Sequence, residues 1–562
     1  MKRVVLIGAT GVFGRRLARH LARMDGIDLV LTSRSREKAQ TLARELAAGA
    51  SVPVSGAGLD RDRDSDLVAS LAALKPWLVI DASGPFQQQG YEVPTAALLL
   101  GAHVVDLADA RGYLAGYGPQ LDELARQHGL VALAGASSTP ALSVAAAREL
   151  SEGWERLDSI AIAITPAGRS EVGPSVIAAI LSYAGRPVPI WREGELQTTP
   201  GWGAGEVIDM PGLGLRRVAP VETVDAEMLG PDLAARSRVA FSAGLEAGIE
   251  QWGLALLAWF RRQGWVADLA PLVPYLVKAR RITRLWTLDR GGMLVAISGI
   301  DSKGRPRRAY WSLLAENDDG PQVPTLAAAA AVRALLADEI TPGARSAAEA
   351  LDLAAIEAEM TPYAISTSQD ERAVGPALFE IVLGAQAFAL MPAAIRAFHA
   401  NDAEPVWQGR AEVTRGDGAV TGLLCRLFGL PAAGAELPVT VSVTRGDAFD
   451  ENAEIWTRNF AGQRFHSRLS LDRNGELREA FGPFSFTLAA QSDREGLALP
   501  IANWRVFGLP LPRFLMPSAE ARETVDADGR FRFDVKLSLP FFSLLAHYRG
   551  WLKPRGPSDG PG

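Results

Sequence analysis

The chain has 562 residues, which at the usual domain size corresponds to about three to five folded units. Hydrophobic residues make up 48 % and charged residues 22 %, a composition that excludes wholesale disorder. A net charge of −6 argues against nucleic acid as the main partner, and the single cysteine, Cys425, excludes an internal disulfide framework or a cysteine-built zinc site.

Residues 4–7 form an apolar strand without a polar face, as a central parallel strand requires. The run stops at Gly8, too short for a secretory leader, and no stretch approaches a membrane span. With one cysteine, the expected location is the cytoplasm. Residues 12–24 place Phe13, Leu17 and Leu21 at helical spacing, with arginines on the wet face. Strands are then predicted at 28–32, 77–82, 103–107 and 130–134, and helices at 37–46, 67–74, 93–100 and 119–128. This alternation predicts an α/β domain over 1–135, a Rossmann-like doubly wound parallel sheet. From 136 to 360 the rhythm changes to an α+β domain, expected to carry substrate contacts or a dimer face. Short strands separated by turn pairs such as Ala461-Gly462, Asn474-Gly475 and Asp528-Gly529 predict a third, antiparallel β-rich domain over 370–555.

The chemistry concentrates in the first domain. Gly8-Ala9-Thr10-Gly11-Val12-Phe13-Gly14 joins the first strand to the first helix, where a glycine-rich turn lets a pyrophosphate approach helix N–H groups. Past the second strand, where a carboxylate would select NAD, stand Ser33 and Arg34, a pair suited to the 2′-phosphate of NADP(H). Ser83-Gly84-Pro85-Phe86 ends a further strand on the ligand side of such a sheet. Proton transfer needs a titratable group near these strand ends. The candidates are Asp109, Tyr91 and Asp106, with His103 weighed against simple packing and Ser137, Ser138 and Thr139 against an ordinary loop. No tyrosine is followed four residues later by lysine, which argues against a short-chain dehydrogenase couple; the scattered histidines predict no metal site, and no Gly-x-Ser-x-Gly elbow occurs.

Taken together, Gly8–Gly14, Thr32-Ser33-Arg34, Ser83–Phe86 with Gly90, and Gly101-Ala102-His103-Val104-Val105-Asp106-Leu107 resemble the saccharopine dehydrogenase-like NADP-binding family. The likeness extends through Gly291-Gly292-Met293 and Trp311-Ser312-Leu313 to about residue 360. It implies NADP as cofactor and oxidoreduction of a small molecule, with lipid intermediates among the family's substrates. Where members carry Thr-Gly-Glu after this strand, the chain reads Leu107-Ala108-Asp109, so Asp109 stands in for the acid. Residues 375–554 resemble the domain of unknown function 4166 through Phe398-His399, Glu454–Phe460, Pro510-Leu511-Pro512 and Tyr548–Leu552. That name implies an architecture and no activity.

The sequence therefore predicts an NADP(H)-dependent oxidoreductase that moves a hydride to or from a carbonyl, imine or activated alkene of an apolar molecule. A non-catalytic NADP(H) sensor or scaffold acting through the β domain is the alternative. The segment from Trp252 to Trp286 is rich in Trp, Leu and Arg; it suits a peripheral membrane contact, a lipid-pocket wall, a buried helical pair or a homodimer face. In the β domain, Trp456, Phe460, Phe465, Phe484, Phe486, Trp504 and Phe507 are candidates to line a cavity or fill a core.

Overall fold

The protein is described by a computed structural model covering residues 1–562 except 63–65, 88, 171–172, 193, 204, 401–405, 418–420, 423–424, 426–429, 448–449, 473, 483, 507, 541 and 555–562. The chain divides into two compact units, Met1–Arg372 and Ala373–Gly562.

The first unit opens with strict alternation: β1 (Lys2–Ile7), α1 (Val12–Leu21), β2 (Ile27–Ser33), α2 (Arg36–Ala47), β3 (Val54–Gly58), α3 (Leu67–Leu74), β4 (Leu78–Asp81), α4 (Glu92–Leu99), β5 (His103–Asp106), α5 (Arg111–Gln127) and β6 (Val131–Ala134). Val4, Val5 and Leu6 are wholly buried, because helices cover both faces of the sheet. All pairings are parallel, and the spatial order is β6-β5-β4-β1-β2-β3. The order reverses between β1 and β4. In such a sheet that reversal opens a crevice beyond the carboxyl ends of the strands, where ligands bind.

Two local features depart from the sequence pattern. The strand Gly343–Ser346 joins β6 in parallel and completes seven strands among the described residues. Helix α5 begins at Arg111 and continues through Pro119, although proline is favoured at a helix start. Tyr113, Tyr117 and Leu121, spaced four apart, are buried along one face, and this packing outweighs the backbone bond that Pro119 cannot make.

A mixed sheet follows in the same unit. Strand Arg156–Thr165 pairs in parallel with Arg238–Ala243 and antiparallel with Gly291–Ile300, which pairs in turn with Pro306–Ala315. Helix α1 packs on helix Val323–Leu336, a run of buried alanines that lets the two backbones approach closely. His20 of α1 anchors this contact between Tyr363 Oη (2.8 Å) and Glu359 Oε2 (2.6 Å).

In the second unit thirteen antiparallel strands form one sheet among the described residues, with Trp407–Arg415 paired to the last strand, Phe542–Pro554. Ala461 and Gly462 both adopt positive φ, as a two-residue hairpin turn requires. At Gly475 and Gly529 only the glycine does, and the turn is one residue longer. Side chains from many strands, including Trp456, Phe460, Phe486, Phe531 and Phe533, point at a common interior of about 160 Å³. Arg458 and Glu479 face each other there at 3.5 Å. Phe507 lies outside the described residues.

Candidate functional site

The crevice floor is the turn between β1 and α1. Gly8 has φ +74°, and a side chain on it would meet Ser83 Cα at 2.9 Å. Gly14 has no room either: its Cβ would lie 2.2 Å from the Gly8 carbonyl oxygen. Gly11 caps α1 without any side chain bonding the first-turn N–H groups, and no acid stands in that turn. Those N–H groups and the positive end of the helix dipole therefore face the crevice. Thr10 Oγ1 donates to Ser33 Oγ at 3.0 Å, which ties the turn to the end of β2. Arg34, one residue on, is exposed and has no ion-pair or hydrogen-bond partner among the described residues. Ser35 is engaged as the N-cap of α2, accepting from Lys38 N–H.

Beside this turn, β4 ends in Asp81, whose carboxylate accepts from Ser83 N–H (2.9 Å) and Ser83 Oγ. Arg61 bonds the other carboxylate oxygen of Asp81, Ser83 Oγ (3.1 Å) and Gln89 Oε1, and lies over the Phe86 ring. Burial raises the pKa of Asp81, and the Arg61 guanidinium opposes that rise. Gly84 and Pro85 are exposed above this cluster, joined by a cis peptide, and Phe86 is buried beneath it. Sequence reasoning missed Arg61, because Asp60-Arg61-Asp62-Arg63-Asp64 reads as a solvated charge run. Arg61 is committed to Asp81, whereas Arg34 has no such partner among the described residues.

The three proton-transfer candidates sit differently. Asp106 is 1 % exposed, and its Oδ1 accepts from Ala108 N–H (3.0 Å) and Gly135 N–H (2.9 Å) while Tyr113 donates to Oδ2 (3.1 Å). Burial pushes its pKa up to about 7. These bonds fasten the turns after β5 and β6 to each other. Tyr91 is half-buried against Tyr113 and Tyr117, and its hydroxyl donates to the Tyr113 carbonyl at 2.8 Å. Asp109 is exposed, with a single long side-chain contact from Gln87 Nε2 at 3.4 Å. Protein surrounding this recessed carboxyl holds its pKa above the ordinary range, more than its own backbone N–H and Gln87 lower it. Burial raises the pKa of Tyr183 and Glu222 in the mixed-sheet region, and the charge of Asp109 adds to both rises. His103 lies at the opposite, amino end of β5, where Nδ1 accepts from Val131 N–H at 3.1 Å. Thr139 and Ser143 both donate to buried Asp225.

A second space adjoins the crevice. A cavity of about 620 Å³ begins at Val12, Phe13 and Ser138 and runs between the mixed sheet and three helices, Pro174–Tyr183, Gly248–Arg262 and Val273–Thr283. Its walls are Ile, Leu, Val and Ala with few polar atoms. Its one facing charge pair is neutralised internally, Arg280 Nη1 to Glu250 Oε2 at 2.8 Å. No periodicity in the sequence signals this space, because it lies between elements distant along the chain.

Residues 391–552 match the family described as Domain of unknown function (DUF4166). No curated protein matches the chain. Among solved structures, apo saccharopine dehydrogenase (L-Glu forming) from Saccharomyces cerevisiae is similar at 14 % identity and TM-score 0.48, over 66 % of this chain and all (100 %) of that one. A meso-dapdh variant from Clostridium tetani shows 12 % identity and TM-score 0.33 over 64 % of this chain and 99 % of that one. The WlbA dehydrogenase from Thermus thermophilus, solved with NAD and α-ketoglutarate, shows 15 % identity and TM-score 0.31 over 63 % of this chain and 94 % of that one.

Proposed function

We propose that the first unit is an NADP(H)-dependent oxidoreductase acting on a carbonyl, imine or activated alkene of an apolar molecule. The observation that carries this reading is the meeting of two spaces. Val12 and Phe13 belong to the glycine-rich turn and also form the end wall of the apolar cavity. The residues fit the cofactor. Gly8, Gly11 and Gly14 leave the close approach a pyrophosphate needs, the first turn of α1 offers uncapped N–H groups, and Arg34 with Ser33 stands where a 2′-phosphate would lie. Ser83, Gly84 and Pro85 border the same crevice, with Phe86 supporting them from below.

NADP(H), when bound, supplies or receives the hydride. The chain's part is to place the substrate and to handle the proton. The apolar walls take up the body of the substrate and exclude water from its reacting end. Asp109 is the group for proton transfer, because the residue is exposed at the strand end, its carboxylate has a single long side-chain contact, and desolvation raises its pKa from the ordinary carboxylate value. Asp106 and Tyr91 serve as positioning residues, since their polar atoms are engaged with backbone and with Tyr113.

The test follows NADPH consumption with a panel of apolar enones, imines and ketones, comparing wild type with Asp109→Asn. Turnover of at least one member and a fall in kcat of about 100-fold or more in the variant support the reading. NADPH binding without turnover of any member favours a sensor instead.

A further inference from the structure

Two of the three helices that wall the cavity, Gly248–Arg262 and Val273–Thr283, carry a second apolar face, directed outward. On helix Gly248–Arg262, Ile249, Trp252, Leu256 and Trp259 recur at helical spacing and are 74, 49, 52 and 42 % exposed. Trp265 follows at 67 %, and Tyr275, Ile282, Leu285 and Trp286 on and after helix Val273–Thr283 are 58–77 % exposed. Folded chains rarely leave so many large apolar side chains of one helical segment exposed to water.

Charge identifies what this face meets. Between residues 248 and 288 the cations are Arg261, Arg262, Lys278, Arg280, Arg281 and Arg284, against only Glu250 and Asp268. Arg280 neutralises Glu250, and Arg262, Lys278 and Arg281 are exposed. A chain of net charge −6 thus concentrates positive charge along the two helices that carry these exposed apolar side chains. Tryptophans beside exposed Arg and Lys suit the boundary between headgroups and acyl chains of an anionic bilayer. No helix among the described residues is long and apolar enough to cross a membrane, so the pair would lie in the interface.

The same face borders the cavity. Ile249 and Leu256 belong both to the exposed stripe and to the cavity wall, with Gly253 between them on the helix. We infer that the helix pair docks the first unit on an anionic lipid surface and opens the cavity toward the acyl chains, so that apolar substrate enters from the bilayer. The docking stands on the patch and its charge; the entry route rests on the function proposed above.

The full chain is sedimented with vesicles of phosphatidylcholine alone and of phosphatidylcholine mixed with phosphatidylglycerol, at low and high salt. Binding to the anionic vesicles is expected to exceed binding to the neutral ones by about tenfold or more, and to weaken with salt. Two variants separate the causes: Trp265→Ser/Leu285→Ser/Trp286→Ser removes the apolar anchor, and Arg262→Glu/Lys278→Glu/Arg281→Glu reverses the charge. Each is expected to lose binding by about tenfold or more while NADPH titration stays as in wild type. The inference is overturned if wild type ignores both vesicles. It is overturned equally if wild type is a stable dimer in ultracentrifugation and the Trp/Leu variant a monomer, since the occupant is then a second copy. Vesicle binding without turnover of any substrate leaves the docking intact and removes the oxidoreductase reading.

Discussion

Replacing Gly14 by alanine probes the nucleotide cradle through a single methyl group. Its Cβ would lie 2.2 Å from Gly8 O, 2.8 Å from Gly8 C and 3.0 Å from Ala9 Cα. A carbon needs about 3.3 Å from a carbonyl oxygen, so turn and helix must part by about 1 Å. None of these neighbours is a side chain that can rotate away. Helix α1 is held from behind by helix Val323–Leu336 and by the His20–Glu359 contact, so the turn is what moves. Overpacking of this kind costs about 1–3 kcal/mol. Relieved at the cradle, that cost corresponds to a loss of dinucleotide affinity of roughly 5- to 150-fold. Fluorescence titration of NADPH measures it, with circular dichroism confirming the fold. Gly112→Ala is the control: it lies in α5 with nothing within 4 Å of its added methyl and should bind as wild type. Wild-type affinity in Gly14→Ala would refute the assignment of this turn as the phosphate cradle.

Asp106→Asn keeps the acceptor for Ala108 and Gly135 N–H at Oδ1, turns the Oδ2 acceptor of the Tyr113 hydroxyl into an amide N–H donor toward it, and removes the titration. The native carboxyl, raised to about 7, binds its proton more tightly than in the unfolded chain. Its contribution to stability is therefore full below about pH 4 and is lost as pH rises toward 7, by at most about 4 kcal/mol. Denaturant melts across that range should show a smaller pH-linked decline in the variant than in wild type; parallel curves would contradict the burial argument. Arg61→Leu leaves Asp81 buried without its cation and should lower the unfolding free energy by about 3–5 kcal/mol. Adding Asp81→Asn should restore most of that loss in the same melts, and two equally unstable variants would show that the pair is not the cause.

The sequence exposes what depends on neighbours along the chain. The glycine-rich turn, the alternation that gives β1, β2, β4, β5 and β6, and the hairpin at Ala461-Gly462 each follow from local spacing, and the structure contains them, whereas β3, with two glycines and a serine in five residues, shows no apolar run and escapes. The DUF4166 match at 391–552 falls within the span that the resemblance assigns to that family. What escapes is whatever distant contacts create. Gly343–Ser346 is a four-residue strand with two buried residues, too brief to show a period, and it exists because β6 offers an open edge. The strands Ile501–Val506 and Ser518–Val525 escape for a related reason: Arg, Asn and Glu interrupt their apolar residues. Arg61 looks like one member of a charge run until the loop after β3 delivers it to Asp81. Asp109 and Asp106 look equivalent in sequence, three residues apart at one strand end. Only the fold separates a carboxyl with a single long side-chain contact from one whose oxygens are engaged with two backbone N–H groups and Tyr113.

Titration of the full chain with NADPH and with NADH goes most directly to the proposed chemistry, because both coenzymes share the cradle and differ only at the phosphate that Arg34 would meet. NADPH should bind about tenfold tighter or better, and Arg34→Glu should abolish the preference while leaving NADH affinity near its wild-type value. Equal affinities in the wild-type protein would contradict the account.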